Sequence, residues 1–197
     1  MAPEVSQMSC PACGAPVSIS AKECEFCHGP IMISTFNSVY EMPTAQVNKY
    51  ATAYKKDLQK NPNSPELNNS LAMCYLKLKL YTKALQSFER AIEEDLNNSE
   101  TFFYAAISLL NGKKAYLATK SVIDKIEEYI NAAIMIEPKG IYYYFLAYIK
   151  YDYHFRKHYK TEPSYGDLLH EARSSGYSRE DANVLFTILG VEKPEEF

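Results

Sequence analysis

The chain has 197 residues, is 47% hydrophobic and carries a formal net charge of −3; this excludes wholesale disorder and argues against nucleic acid or an anionic membrane as its main partner. The opening stretch MAPEVSQMSC lacks a basic start and an apolar core, and the longest mostly apolar run, 141–149, falls far short of the about 20 residues that cross a bilayer. A soluble cytoplasmic protein with no membrane partner is expected, in a compartment where thiols stay reduced.

The first chemistry in the chain is CPACGAPVSISAKECEFC, in which Cys10 and Cys13 form one C-x2-C pair and Cys24 and Cys27 another. Two such pairs can supply four thiolates to one tetrahedral Zn²⁺ at about 2.3 Å each. The short spacer folds each pair into a knuckle that turns backbone N–H groups toward sulfur; Pro11 stiffens the first, and Gly14 supplies a permissive backbone after it. This stretch resembles the short zinc-ribbon family, CPxCG followed by a small hairpin and CxxCG, over roughly residues 9–33. It departs from that family in placing His28 where glycine usually follows the last cysteine, with Gly29 next. Either the second knuckle is distorted or His28 takes a positive φ. The ten residues between the pairs are also fewer than the usual spacing and leave room only for a tight hairpin.

Other readings of the same cysteines are a rubredoxin-like iron site, a thioredoxin-like C-x-x-C and the c-type haem string Cys24–His28, the last two without the context they need. His28 could add a ligand or simply face solvent. Lys22 stands against Glu4, Glu23 and Glu25 around the cysteines, so the surface should repel phosphate, and docking on protein is the expectation. Residues 1–33 hold too few apolar groups to fold without metal.

Residues 34–44 read as an extended linker, with 31–34 as a last ribbon strand. Its Ile33, Phe36, Val39, Tyr40 and Met42 are too apolar to float freely, and part of the segment should pack against helices. Thr44 can cap a helix over 45–61, with Val47, Tyr50, Tyr54 and Leu58 on one stripe.

From Pro65 to Asn98 a helix, a turn and a second helix follow. Leu71, Ala72 and Tyr75 share a face of one helix, and Ala84, Phe88 and Ala91 a face of the next. Small residues let the helices approach, and the rings fill the space around them. The spacing resembles the tetratricopeptide repeat, a unit of about 34 residues that needs stacked neighbours to bury its apolar face. In a second unit Phe102, Ala105, Ala106 and Leu109 precede Ile126, Ile130 and Ala133, and Pro138 closes it. An insertion of roughly eight residues separates its helices. A third first-helix, starting near Gly140, places Tyr144, Ala147, Tyr148 and Tyr151 at the pattern positions, and the resemblance ends at Tyr159. In this helix Ile141, Tyr144, Tyr148, Tyr151 and Phe155 are expected buried, and Tyr143, Lys150, His154 and Lys157 wet. A helical hairpin, 164–176 and 178–190, should cap the end of the array, with the tail KPEEF loose.

The expected fold is mainly α, a tetratricopeptide-like helical-hairpin solenoid behind a small β zinc ribbon, of the kind found in bacterial-type zinc-ribbon/tetratricopeptide proteins. Its divisions are 1–33 ribbon, 34–44 linker, 45–160 helical array and 161–197 capping hairpin. The resemblance implies a concave groove lined by Glu66, Asn69, Met73, Lys77, Phe103, Ile107, Leu110, Tyr142, Phe145, Ile149 and Tyr153. The groove would receive a helix or extended peptide from a protein partner, or be filled by the chain's own linker or C-terminal hairpin. It lacks the Lys/Asn/Arg set with which chaperone-binding relatives clamp a carboxylate. No Ser/His/Asp order, phosphate loop or paired carboxylate suggests an enzyme. The function expected is a protein-interaction adaptor with structural Zn²⁺; the alternatives are a nucleic-acid-associated zinc-ribbon protein and a rubredoxin-like iron electron carrier.

Overall fold

The computed structural model describes residues 7–197, and the fold is mainly α with one two-stranded sheet. The chain forms two compact units, divided in sequence between Leu96 and Asn97. In the first of them the cysteine module and the linker pack on the helices that follow.

In the first unit β1 (Gln7–Ser9) pairs antiparallel with β2 (Pro16–Ser18), Met8 opposite Val17. The expected third strand is a single bridge, Glu23 to Pro30. The linker is not wholly extended: Asn37–Tyr40 turns into a short helix, α1, with Val39 buried. As expected, the linker's apolar residues pack: Ile33, Phe36 and Val39 are buried. α2 spans Thr44–Leu58, α3 Pro65–Lys77 and α4 Tyr81–Glu94. Thr44 begins α2 but does not cap it, since Pro43 holds the cap position. Ser64 does cap α3, accepting from the Leu67 N–H, with Pro65 in the first turn where its missing N–H costs nothing. Ala72 and Ala84 are fully buried between α3 and α4, beside Phe88.

The linker is pinned to these helices. Tyr54 Oη donates to Ile31 O at 2.9 Å, Ile33 N donates to Ser70 Oγ at 2.9 Å, and Lys77 Nζ donates to Tyr40 O. Buried backbone groups of the linker thus find partners on α2 and α3.

In the second unit α5 (Ser99–Leu109) packs on α6 (Lys120–Ile136), and α7 (Gly140–Ile149) continues into one π turn, Lys150–His154. α8 (Tyr165–Ser174) and α9 (Arg179–Leu189) follow, each opened by a capping box, Ser164 with Asp167 and Ser178 with Asp181. α8 packs on α7 rather than on α9, so the expected terminal hairpin is instead the second helix of a third pair, while α9 lies against α5 and α7. Gly140 permits the α7–α8 approach: a Cβ there would lie 2.5 Å from Tyr177 N and 2.7 Å from Ala172 O.

The expected division of the α7 surface into dry and wet stripes holds in part: Tyr144, Tyr148 and Tyr151 are buried and Tyr143, Lys150 and Lys157 are not, but His154 is buried and Phe155 is exposed. Tyr142, Phe145, Ile149 and Tyr153 are buried as well, so the covered face is wider than one stripe. His154 Nε2 and Lys150 Nζ both bond Glu127 on α6 at 2.8 Å. The insertion forms a 3₁₀ turn, Ala115–Leu117, held by the Tyr116 N–H donating to Asp152 Oδ2 at 2.8 Å. Nor is the tail loose, since Phe197 stands among tyrosine rings. Among the described residues no helix is long and apolar enough to cross a membrane.

Candidate metal centre

Each cysteine pair closes on itself through the same backbone bond. Gly14 N donates to Cys10 O at 2.9 Å, and His28 N donates to Cys24 O at 2.8 Å. Gly14 has φ 83°, and His28 stands at the equivalent place with φ 55°. Of the two alternatives left by the sequence, His28 therefore takes the left-handed conformation itself, and the second knuckle keeps the geometry of the first.

The two knuckles face each other. Cys10 Sγ lies 3.7 Å from Cys27 Sγ, and Cys13 Sγ lies 3.7 Å from Cys24 Sγ. All four sulfurs fall within 4.8 Å of one another. A disulfide needs sulfurs at about 2.05 Å, and all four cysteines are free thiols. A tetrahedron of thiolates about 2.3 Å from a central ion has edges of about 3.8 Å. The donor set therefore fits one tetrahedral metal ion held by Cys10, Cys13, Cys24 and Cys27, and an all-sulfur shell of this size suits Zn²⁺. His28 is not among the residues able to share that ion.

Cys10 and Cys24 are buried, whereas Cys13 and Cys27 are exposed. Desolvation raises the Cys24 thiol, yet the N–H groups of Phe26 and Cys27 and the neighbouring sulfurs of Cys10 and Cys13 outweigh it and hold the group at about 7. The Gly29 N–H pulls the Cys27 thiol down, but burial and the other three sulfurs push it up to about 12. The four sulfurs lie close enough that ionisation of one opposes ionisation of its neighbours.

Three residues around the knuckles were given no part in the metal centre by the sequence. Lys49 Nζ on α2 donates to Ala12 O and ties the first knuckle to the helix. Tyr50 is fully buried, and burial raises its hydroxyl to about 12. Gly29 leaves just enough room: a Cβ there would stand 3.0 Å from Tyr50 Oη, 3.2 Å from Ala12 Cβ and 3.6 Å from Cys27 Sγ. The glycine displaced one place from its family position was the signal in the sequence. Glu4 lies outside the described residues, so the charge comparison around the cysteines is complete only for Lys22, Glu23 and Glu25.

The residues expected to line a groove stand differently. Asn69, Met73, Phe103, Ile107, Leu110, Tyr142, Phe145, Ile149 and Tyr153 are buried, Lys77 is half-buried and Glu66 exposed. In the first unit the linker crosses this face, with Asn69 Nδ2 donating to Ile33 O and Lys77 to Tyr40 O. In the second, Phe103 packs on Tyr142 and Phe145, with ring centroids 4.7 and 5.9 Å apart. Cys74 is a core residue of α3, fully buried, its thiol pushed up to about 12 by desolvation. In comparison with known proteins, no family model and no curated protein matches this chain.

Proposed function

We propose that the chain is a non-catalytic protein-interaction adaptor in which a zinc ribbon is carried on a tetratricopeptide-like helical body. The convergence of Cys10, Cys13, Cys24 and Cys27 carries this reading. Four thiolates complete a tetrahedral shell and leave no position for substrate, which is the pattern of structural rather than catalytic zinc. The ion's chemistry here is a cross-link that folds the module. The body supports the reading through the close α3–α4 and α7–α8 crossings at Ala72, Ala84 and Gly140. Since most of the expected groove residues are covered by the chain itself, the partner-facing group with most support is Phe26, 68% exposed between Cys24 and Cys27 at the tip of the second knuckle. A large ring held in water by a rigid turn is suited to filling a pocket on a partner.

Elemental analysis of the purified protein should find one zinc per chain. Affinity capture from isotope-labelled cells should recover the same partner with the wild type but not with Phe26→Ala or Cys24→Ser. Phe26→Ala should retain its zinc. Iron and a coloured protein would overturn the zinc reading in favour of an electron carrier, and capture indifferent to both substitutions would overturn the adaptor reading.

A further inference from the structure

Residues 191–197, VEKPEEF, follow Gly190, whose φ of 68° stops α9. Such an acidic, proline-bearing segment is expected to be solvated, yet its phenyl ring is not. The Phe197 centroid lies 5.5 Å from Tyr144, 6.3 Å from Tyr148, 5.2 Å from Tyr151 and 6.4 Å from Tyr165. Tyr144, Tyr148 and Tyr151 are buried, and Tyr165 closes the cage from the first turn of α8. Most of the contacts are edge-on or tilted, the arrangement aromatic quadrupoles prefer.

The Glu196 carboxyl is held below its ordinary range, first by the Tyr151 hydroxyl and to a lesser degree by the positive charge of Arg156. A cleft of about 310 Å³ beside them is lined by Lys114, Tyr148, Asp152 and Arg156 and by Glu195 and Glu196. An aromatic cage flanked by cations is thus filled by an acidic segment that bears a ring.

The segment is seated without being built in. Among the described residues its one bond between backbone groups is local, Phe197 N to Pro194 O at 3.2 Å. Glu195 and Glu196 are exposed and Phe197 is only half-buried. Side chains alone hold it, as they hold a bound peptide.

We propose that this tyrosine cage of the second unit is a docking site for a partner's acidic segment, two carboxylates followed by an aromatic ring, and that Phe197, with Glu195 and Glu196 beside it, occupies it in cis as a stand-in. Side chains of the cage read the ring, while Arg156 and Lys114 read the carboxylates. The tethered segment competes at the high effective concentration of a short linker, so binding from solution is weak until it leaves. This inference names the partner chemistry at a surface remote in sequence from the ribbon. It rests on the binding-module reading only for its biological sense.

The test is fluorescence anisotropy with the labelled peptide Lys-Pro-Glu-Glu-Phe, on the full chain and on a Glu196→Ala/Phe197→Ala double variant. The vacated variant should bind at least about tenfold tighter than the wild type, the gain expected from removing a tethered competitor. A peptide with alanine for phenylalanine, or lysines for both glutamates, should lose that binding. Adding Tyr165→Ala to the double variant should lose it too. Circular dichroism decides what a negative result means. A double variant with wild-type helicity that binds no tighter overturns the proposal, and so does one that loses its helicity, since the segment would then be part of the core. Either failure leaves ribbon-dependent capture untouched, and failure of that capture leaves this peptide titration untouched.

Discussion

His28 shows how a single side chain bears the cost of a turn that the metal needs. A non-glycine residue in the left-handed region costs roughly 1–2 kcal/mol, and His28 at φ 55° accepts it so that its N–H can close on Cys24 O. The His28→Gly substitution should therefore strengthen the knuckle, raising the chelator concentration needed to strip the metal; an unchanged or lower concentration would mean that the imidazole has a role of its own. Gly29 is the opposite case. Its Cβ would press on Tyr50 Oη and Ala12 Cβ at 3.0 and 3.2 Å, and Gly29→Ala should loosen metal binding by prising the second knuckle from α2. Asp57, buried near the C-terminus of α2, has its carboxyl raised by desolvation despite Lys60 and Lys56. A folded-state value above the unfolded one makes the charged form a liability at neutral pH, aggravated by the negative helix end. Asp57→Asn should raise the melting temperature at neutral pH, and the gain should shrink as pH falls through the raised value and Asp57 protonates.

At the scale of helices and turns, the α7–α8 crossing and the insertion each depend on one position. The Cβ of Gly140→Ala would meet backbone atoms of Tyr177 and Ala172, which cannot rotate away. Overpacking of that kind costs about 1–3 kcal/mol, and urea denaturation should show a loss of this order with an unchanged slope. Asp152, 1% exposed in the π turn, receives the Tyr116 N–H and pairs with Arg156. Its replacement by alanine removes the charged acceptor of the Tyr116 N–H and should cost about 2 kcal/mol, with protease sensitivity appearing at 113–119. Much of this was legible in the chain: the Leu71/Ala72 and Ala84/Phe88 periodicity marked the α3–α4 pair, and C-x2-C twice marked the thiol cluster. The partner of α8 was not, because Leu168 and Ala172 show an apolar face without saying which helix it meets. Nor was the burial of His154, since its acceptor Glu127 lies 27 residues away on α6. The place of Phe197 was hidden for a like reason: the four tyrosines that cage it come from α7 with its π turn and from α8, both more than thirty residues back in the chain.

For the molecule as a whole, the two units draw on different sources of stability. In the second, buried rings such as Tyr142, Tyr144, Phe145 and Tyr148 fill the interior around α7, and no metal is required for that burial. The cysteine module of the first unit has little comparable core: Met8 and Val17 are the buried apolar residues of its hairpin. Metal binding is worth about 10–16 kcal/mol in small zinc modules, and an ion held by these four thiolates would supply the folding energy of the hairpin. The linker differs again, because Ile31 and Ile33 are fully buried and bonded to Tyr54 and Ser70. Stripping the ion should therefore melt 7–30 while 31–40 stays seated on α2 and α3. Hydrogen exchange after chelation should show protection lost at Cys10, Cys24 and His28 amides, retained at Ile33, and unchanged across 97–197, with little change in helical circular dichroism. Restoring zinc should restore the protection. Collapse of the helical signal on chelation would show that the ion holds up far more than its own knuckles, and the division of stability argued from buried side chains would be wrong.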